Sequence, residues 1–211
     1  MLSRIAALAA GLAVAACAVV GDRSGTEEPV FDVVGQAGPA EIRRYGPRIA
    51  AETDIDGDAE TARNDGFRRL ASYIFGDNRG ATKIAMTAPV AQAPSDGTRI
   101  AMTAPVAQQP AGGWRWAIRF FMPAQWTLAT LPVPNNPAVR LVEVPGETMA
   151  VLRFSGDRGA QAVAARQAEL LRGLAGSAWV PQGEPVAWFY DPPWTLPWLR
   201  RNEVAVRVAG T

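Results

Sequence analysis

The chain has 211 residues, of which 48% are apolar, and its formal net charge is +1. This length suggests one domain with a substantial core, and the near-neutral charge gives no electrostatic basis for binding nucleic acid. The sequence contains no histidine and a single cysteine. This excludes histidine-based triads, histidine metal ligands, internal disulfides and thiolate zinc sites.

The first 17 residues predict an export signal that lies outside the fold. One positive charge, Arg4, precedes an apolar run from Ile5 to Ala16 that is too short to span a bilayer. The run Val14-Ala-Ala-Cys17 resembles a bacterial lipobox, in which the cysteine is diacylated and becomes the mature N-terminus. The alternative is an ordinary signal peptide with an incidental cysteine. We therefore expect residues 1–17 to form a signal peptide with lipidation at Cys17.

Residues 18–29 contain Gly, Ser, Thr and Glu, a composition that predicts a flexible tether. Lipid chains on Cys17 would give stable anchoring to a membrane. Ala18, and not Asp, follows the cysteine, which by resemblance favours the outer membrane in a host that has one. The expected location is the bacterial cell envelope, at the outer membrane or the periplasmic face.

The first part of the predicted domain contains three short strands and a helix. Gly/Pro breaks separate the strands Phe31–Val34, Glu41–Tyr45 and Arg48–Ile55. Asp56 or Asp58 is expected to cap a helix that runs to about Phe75. The helical spacing predicts a buried stripe of Phe67, Leu70, Ala71 and Ile74. Gly66 in this helix should cost roughly 1 kcal/mol relative to Ala.

A duplicated phrase of twelve residues follows, once from Lys83 to Pro94 and again from Arg99 to Pro110. Apolar residues alternate in each copy, which predicts a strand, and Ser95-Asp-Gly97 between the copies is typical of a turn. The two copies are therefore expected to form a hairpin. In this hairpin Met86 and Met102 both face the protein interior, because a slip of one residue would turn one apolar row to water.

The second half repeats the order of the first, with a helix between strands. The expected helix is residues 158–174. The expected strands are Trp114–Met122, Val139–Val144, Thr148–Phe154, Val186–Tyr190 and Val204–Val208. This order favours an α+β fold in which two helices cover one side of an antiparallel sheet.

The duplicated phrase also carries a family resemblance. Ile84-Ala-Met-Thr-Ala-Pro-Val90 resembles the signature of the SOUL family of haem-binding-protein-like domains. Further matches occur in the family's order, at Glu41–Tyr45, at Phe67–Gly76 and from Tyr190-Asp-Pro-Pro-Trp194 to Val204. The resemblance implies that residues 30–209 form a distorted antiparallel β-barrel with two long helices and a pseudo-twofold repeat. Effector-binding domains of the gyrase-inhibitor-like superfamily share this architecture.

The resemblance further implies noncovalent binding of haem or another hydrophobic tetrapyrrole in an apolar groove beside the first helix. A porphyrin requires a broad apolar slot and one or two cations for its propionates. Phe67, Leu70 and Ile74 would supply apolar surface, and Arg68 and Arg69 would supply the cations. The alternatives are ordinary core packing for the three apolar residues and a solvated helix face for the two arginines.

Axial ligation of haem iron by histidine is impossible in this chain. The remaining side chains of suitable type are Met86, Met102, Tyr45, Tyr73 and Lys83. The two methionines are equally explained as core residues that fill gaps. Binding without any protein ligand is the other alternative, and it would be weak and unselective between haem and other porphyrins.

The loop around Trp194 and Trp198 concentrates aromatic and proline residues. It is interpreted either as a pocket rim, whose indoles stack on a flat ligand, or as a structural flap.

Two alternatives to a binding protein stay open. One is a small-molecule hydrolase of the same superfamily, in which Glu143 or Glu203 would act with a tyrosine. The other is an envelope interaction module without a small ligand. A desolvated glutamate beside a tyrosine in a pocket would favour the hydrolase, whereas a dry groove flanked by arginine would favour the binding protein.

Overall fold

Ten β-strands and two long α-helices form the part of the chain that the computed structural model describes, residues 21, 23–95 and 115–210. The helices are α1 (Ala59–Ile74) and α2 (Ala160–Leu174), and a 3₁₀ turn covers Pro197–Leu199. The strands are β1 (Phe31–Ala37), β2 (Ala40–Tyr45), β3 (Arg48–Asp56), β4 (Val90–Pro94), β5 (Arg115–Phe121), β6 (Arg140–Val144), β7 (Glu147–Phe154), β8 (Trp179–Pro181), β9 (Val186–Phe189) and β10 (Asn202–Gly210). The predicted elements are confirmed except in the duplicated phrase, and β8 was not predicted.

The strands form one antiparallel sheet in the order β1-β2-β7-β10-β9-β4-β5-β3-β6, and β8 pairs with the end of β10. This order is symmetric about the β9–β4 pair. One unit is β2-β3-α1-β4-β5 and the other is β6-β7-α2-β9-β10, so equivalent strands occupy equivalent places. The predicted α+β class, the two helices and the pseudo-twofold repeat are therefore confirmed.

The sheet is strongly curved, but it does not close into the expected barrel. Within the described ranges, β1 and β6 each pair with a neighbouring strand on one side only. Residues of both edge strands line the large cavity analysed below, together with the loops at the ends of β2 and β5. Open space between the two edges thus takes the place of the hydrogen bonds that would close a barrel.

Both helices cover the same side of the sheet. Alternate residues of each strand point to opposite faces, so one set of side chains packs against the helices and the other set lies on the face without helices. Helix α1 packs on β3 and β5, where Leu70 and Ile74 join Ile118 and Phe120 in one buried cluster. Helix α2 packs on β7 and β10, where Leu170 and Leu174 lie in a second cluster. A third cluster, which includes Tyr45, Phe121, Trp188 and Tyr190, lies on the opposite, helix-free face.

Asp58 caps α1, as the sequence predicts. Its Oδ1 accepts hydrogen bonds from the backbone N–H groups of Glu60 and Thr61 at 3.0 and 2.9 Å. The hydroxyl of Thr61 donates to the second carboxylate oxygen, and these bonds lower the pKa of the Asp58 carboxyl. The cap therefore sets the start of the helix that covers the first half of the sheet.

The first copy of the duplicated phrase departs from the predicted hairpin. Only the end of the first copy is a strand, β4, and its two edges are occupied by β5 and β9. No edge of β4 is left for pairing with the second copy, all of which, including Met102, lies outside the described residues. Met86 is 37% exposed, so the prediction that it faces the interior is wrong. Between Lys83 and the start of β4, the buried residues are Ile84, Thr87, Ala88 and Pro89.

Gly66 lies where α1 approaches the sheet most closely. An added Cβ would be 2.4 Å from Cγ1 and 2.7 Å from Cβ of Ile118 on β5, distances that packed atoms do not tolerate. The propensity cost expected from the sequence is therefore outweighed by the packing that glycine permits.

We predict that Gly66→Ala destabilises the protein by about 1–3 kcal/mol, because Ile118 or the helix must shift to accommodate the methyl group. Asn64→Ala is the matched control, since Asn64 is exposed on the same helix and gains helix propensity without a contact. Urea unfolding of both variants checks this. A Gly66→Ala variant as stable as wild type would show that the helix–sheet contact is not tight.

Candidate functional site

A cavity of about 760 Å³ opens at the end of the sheet where the β2–β3 and β6–β7 turns meet. Its volume lies in the range of about 300–1,000 Å³ typical of small-molecule sites. The larger apolar wall residues come from three separate segments, which contribute Phe31, Ile49, Phe121, Met122, Trp126 and Leu128. The cavity therefore has the flat, aromatic and aliphatic lining that a planar hydrophobic ligand requires.

Proline and backbone hydrogen bonds shape the outer wall of this cavity. Pro123 lies two residues after the end of β5 and cannot donate a ladder hydrogen bond, so the strand cannot continue through it. The N–H of Trp126 then donates to the Pro123 carbonyl at 3.0 Å, which closes a turn. The indole N–H of Trp126 is buried and has no hydrogen-bond partner among the described residues.

The N-terminal segment forms the facing wall. Ala88 donates its backbone N–H to the Glu27 carbonyl at 3.0 Å, and Glu27 Oε1 accepts from the Ala124 N–H at 2.7 Å. Glu28 forms an ion pair with Arg201 at 2.9 Å. Residues of the segment expected to be a tether thus bind both sides of the fold, and this path brings Phe31 to the cavity.

Both signs of charge occur at the cavity. Arg44 is exposed and forms no ion pair with any described residue, whereas Arg48 is paired with Glu147 and lies 4.5 Å from the Tyr45 ring centroid. Asp32 and Glu143 also line the cavity, are exposed and have no ion-pair partner in the described ranges. The mouth consequently carries more free carboxylate than free guanidinium.

A buried polar cluster of Glu203, Arg43, Arg201 and Tyr190 lies on the helix-free face. The Glu203 side chain is fully buried and its Oε2 accepts from Arg43 at 2.9 Å and from the Tyr190 hydroxyl at 2.7 Å. Its Oε1 accepts from Arg201 Nε at 3.0 Å. Every oxygen of this carboxylate is therefore engaged, as a buried charge requires.

The titration behaviour of the cluster follows from this arrangement. Burial, followed by the charge of Glu203, raises the pKa of the Tyr190 phenol. Burial alone would lower the pKa of Arg43, but Glu203 and Tyr45 together raise it above its ordinary value. Tyr190 thus stays a neutral donor and Arg43 stays charged. The adjacent cavity, about 10 Å³ in volume and lined by Tyr45 and Tyr190, has room for about one water molecule.

We predict that Glu203→Gln lowers the free energy of unfolding by about 3–5 kcal/mol, because two buried guanidinium groups lose their shared carboxylate. Glu169→Gln is the control, since Glu169 pairs with Arg166 on the exposed face of α2 and should change stability by less than about 1 kcal/mol. Guanidinium unfolding measures both. Similar, small losses in the two variants would contradict a cluster that holds the sheet together.

The residues predicted beside the first helix do not form a cavity together. Leu70 and Ile74 are buried in the core under α1, which is the packing alternative. Phe67 is 37% exposed, and its ring centroid lies 5.3 Å from that of Phe120. Arg68 is paired with Asp65 at the surface, and Arg69 donates to the Thr53 hydroxyl at 2.8 Å.

The remaining candidates are dispersed. Tyr73 is buried and donates to the Pro132 carbonyl, and burial raises the pKa of its phenol to about 12. Lys83 and Met86 are exposed. Trp194 and Trp198 are also exposed and line neither of the cavities described above. Cys17 lies outside the described residues. Whether any of these side chains contacts a ligand stays a prediction.

Sequence reasoning missed the cavity residues Phe31, Arg44, Met122, Trp126 and Leu128. The available signal was Pro123, which ends an aromatic strand and leaves Met122 and Trp126 at a chain reversal. Among the described residues, no group of three Asp, Glu, Cys or His side chains is arranged to hold a metal ion. No helix in the described part of the chain has the length and apolar character needed to cross a membrane.

Comparison with known proteins identifies the family. Residues 26–207 match the family described as SOUL heme-binding protein. The chain belongs to this SOUL family. Heme-binding protein 1 of Sus scrofa is 27% identical over 161 residues, which cover 75% of this chain and 78% of that protein. Heme-binding protein 2 of Homo sapiens is 45% identical over 60 residues, but they span only 28% of this chain and 29% of that relative.

Solved structures share the fold of this SOUL protein at low sequence identity. The C-terminal domain of EcmrR superposes with a TM-score of 0.58 at 10% identity, covering 86% of this chain and 99% of that domain. A hydrolase from Listeria innocua gives a TM-score of 0.53 at 10% identity, covering 83% and 94%. These likenesses agree with the predicted effector-binding architecture and concern the fold alone.

Proposed function

We propose that this protein is a lipid-anchored envelope protein that binds haem or another planar hydrophobic tetrapyrrole noncovalently, without a histidine ligand. Membership of the SOUL family and the names of the two heme-binding relatives support a tetrapyrrole ligand. The observation that carries the proposal is the cavity of about 760 Å³ with aromatic and aliphatic walls.

The walls and the mouth fit a tetrapyrrole to different degrees. Phe31, Phe121 and Trp126 offer faces and edges on which a flat ring packs. Arg44 is the one guanidinium of this lining that is free of ion pairs in the described ranges, and it would bind one propionate. Bound haem would supply its iron, and Met122 is the wall residue whose side chain is of an iron-ligating type.

The free carboxylates of Asp32 and Glu143 oppose a doubly anionic ligand at the same mouth. Because both side chains are exposed, their repulsion is weakened by solvent and screened by salt. The chain itself therefore favours ring contact over propionate pairing as the main source of affinity. This agrees with the expectation that binding is only weakly selective for iron.

We predict that iron-free protoporphyrin binds within a few-fold of haemin, because no histidine contributes iron coordination. Asp32→Asn/Glu143→Gln should tighten binding of both ligands several-fold in low salt and lose this effect in high salt. Titration of purified protein, followed by the Soret band and by quenching of intrinsic fluorescence, measures the affinities.

Arg44→Gln provides the opposite charge change at the same cavity and should weaken both ligands. A low-spin haemin spectrum with much tighter binding than protoporphyrin would contradict the account and indicate a methionine or lysine ligand. Absence of binding by either porphyrin would contradict the proposed ligand class.

The lipid anchor rests on the lipobox-like residues before Cys17. We predict that Cys17→Ser releases the protein from the membrane fraction or blocks its processing, because the acylated residue is lost. Fractionation and intact mass of the wild-type and variant proteins measure this. Equal membrane partition and equal processing of the two would contradict an anchor at Cys17.

The hydrolase alternative has one relevant observation, since a desolvated glutamate does lie beside a tyrosine at Glu203 and Tyr190. Two arginines occupy the same carboxylate, and Glu203 lines neither the large cavity nor the small one beside it. Both oxygens are thus committed to structural hydrogen bonds. The other candidate, Glu143, lies at the cavity mouth without a tyrosine among the lining residues. The pair therefore supports a structural role, and the cavity favours binding.

A further inference from the structure

We propose that the loop of residues 191–200, between β9 and β10, is a membrane-contact surface whose Trp194 and Trp198 enter the interface of a phospholipid bilayer. The inference extends the proposed lipid anchor, because it assigns a second contact between the folded domain and the same membrane.

The side chains of this loop are unusually exposed for their size. Trp194 is 63% exposed, Trp198 is 68% exposed and the adjacent Leu199 is 39% exposed. Neither indole N–H has a hydrogen-bond partner recorded among the described residues. Indole combines a large apolar surface with one polar donor, which is why tryptophan is enriched at membrane–water interfaces.

Hydrogen bonds fix the backbone of this loop, so the exposure of its two indoles is a property of the folded domain. Arg200 donates to the carbonyls of Thr195 and Pro193 at 2.8 and 2.7 Å. Gly156 donates its N–H to the Pro197 carbonyl at 2.8 Å, and the side chain of Thr195 is fully buried. The loop is thus held by hydrogen bonds within it and by one to Gly156, while its two indoles are exposed.

The N-terminal segment reaches the domain at this same loop. Arg23 binds Asp191 with its Nη1 at 2.7 Å from Oδ1. An added Cβ on Gly21 would lie only 2.8 Å from the Leu199 carbonyl oxygen, so Gly21 packs directly on the loop. Cys17 lies four residues before Gly21, and four residues of extended chain span at most about 14 Å.

The nearness of Cys17 to the exposed indoles indicates that the loop contacts a bilayer. Acyl chains on Cys17 would hold the loop within one short chain segment of the membrane surface, where two exposed indoles find an apolar and a polar environment at once. Anchoring by several weak signals is more stable than anchoring by one. The loop then also fixes the orientation of the domain on the membrane.

The test uses wild-type protein reconstituted in vesicles of phosphatidylethanolamine and phosphatidylglycerol with brominated acyl chains. We expect bromine-dependent quenching of tryptophan fluorescence that disappears in Trp194→Phe/Trp198→Phe. Trp179→Phe is the control, because Trp179 packs on Gly35 and Gly210 at the sheet and its loss should leave the quenching unchanged. Melting curves confirm that each variant is folded.

A second arm uses the Cys17→Ser protein, so that failure of the anchor and failure of the loop are distinguishable. Trp194→Ser/Trp198→Ser in this background should lower co-sedimentation with the same lipids on the order of tenfold. If Cys17 carries no lipid, this co-sedimentation measurement alone decides whether the loop binds the membrane. Equal sedimentation of the two proteins, no bromine-dependent quenching in vesicle-bound protein, or a dimer that buries both indoles would overturn the proposal.

Discussion

The fully buried carboxylate of Glu203 is the constraint on which the helix-free side of the molecule depends. A charge in this position is tolerated only when both oxygens are hydrogen-bonded, and the partners come from distant parts of the chain. Arg43 lies on β2, Tyr190 follows β9 and Arg201 precedes β10. The carboxylate therefore joins β2, from the first unit, to the end of β9 and the start of β10, from the second.

This cluster also limits the room for a ligand in its immediate surroundings. Arg201 pairs with Glu28 as well as with Glu203, which fixes the N-terminal segment across the helix-free face. The part of that face beside Tyr45 and Tyr190 is then filled, and only about 10 Å³ remains there. A second cavity of about 290 Å³ lies on the same face, beside Ala91, Met149 and Trp188. The large cavity lies farther along, between the ends of the sheet, with the same N-terminal segment as one wall.

The sequence predicted those features that depend on local patterns. The 3.6-residue periodicity and the Asp58 cap located α1, and alternation located β5 and β7, since a cap and an alternating row are properties of neighbouring residues. The face of Met86 was not predictable in this way. The alternation that begins at Ile84 has a strand only at its end, β4, and the partners of β4 come from distant parts of the chain.

The candidate site was hard to predict for the same reason. Its walls come from residues near 27–32, 44–49, 121–128 and 143–145, and no local motif relates these segments. Gly66 shows a related limit, because helix propensity favours alanine there while contact with Ile118 on a distant strand excludes it. The family resemblance predicted the fold and the ligand class, but it implied a ligand site beside α1 and not at the cavity.

The location of the ligand is the central claim, and a matched pair of variants tests it most directly. Leu128 at the cavity and Phe67 on α1 are 40% and 37% exposed, so the two positions are matched in exposure, and melting curves check that each aspartate variant is folded. Haemin titration of Leu128→Asp and Phe67→Asp, compared with wild type, is the decisive measurement. A cavity site predicts that Leu128→Asp weakens binding on the order of tenfold or more, since it places a charge against the ring, while Phe67→Asp changes it little. Strong loss in Phe67→Asp with an unaffected Leu128→Asp would contradict the account and place the ligand beside the helix.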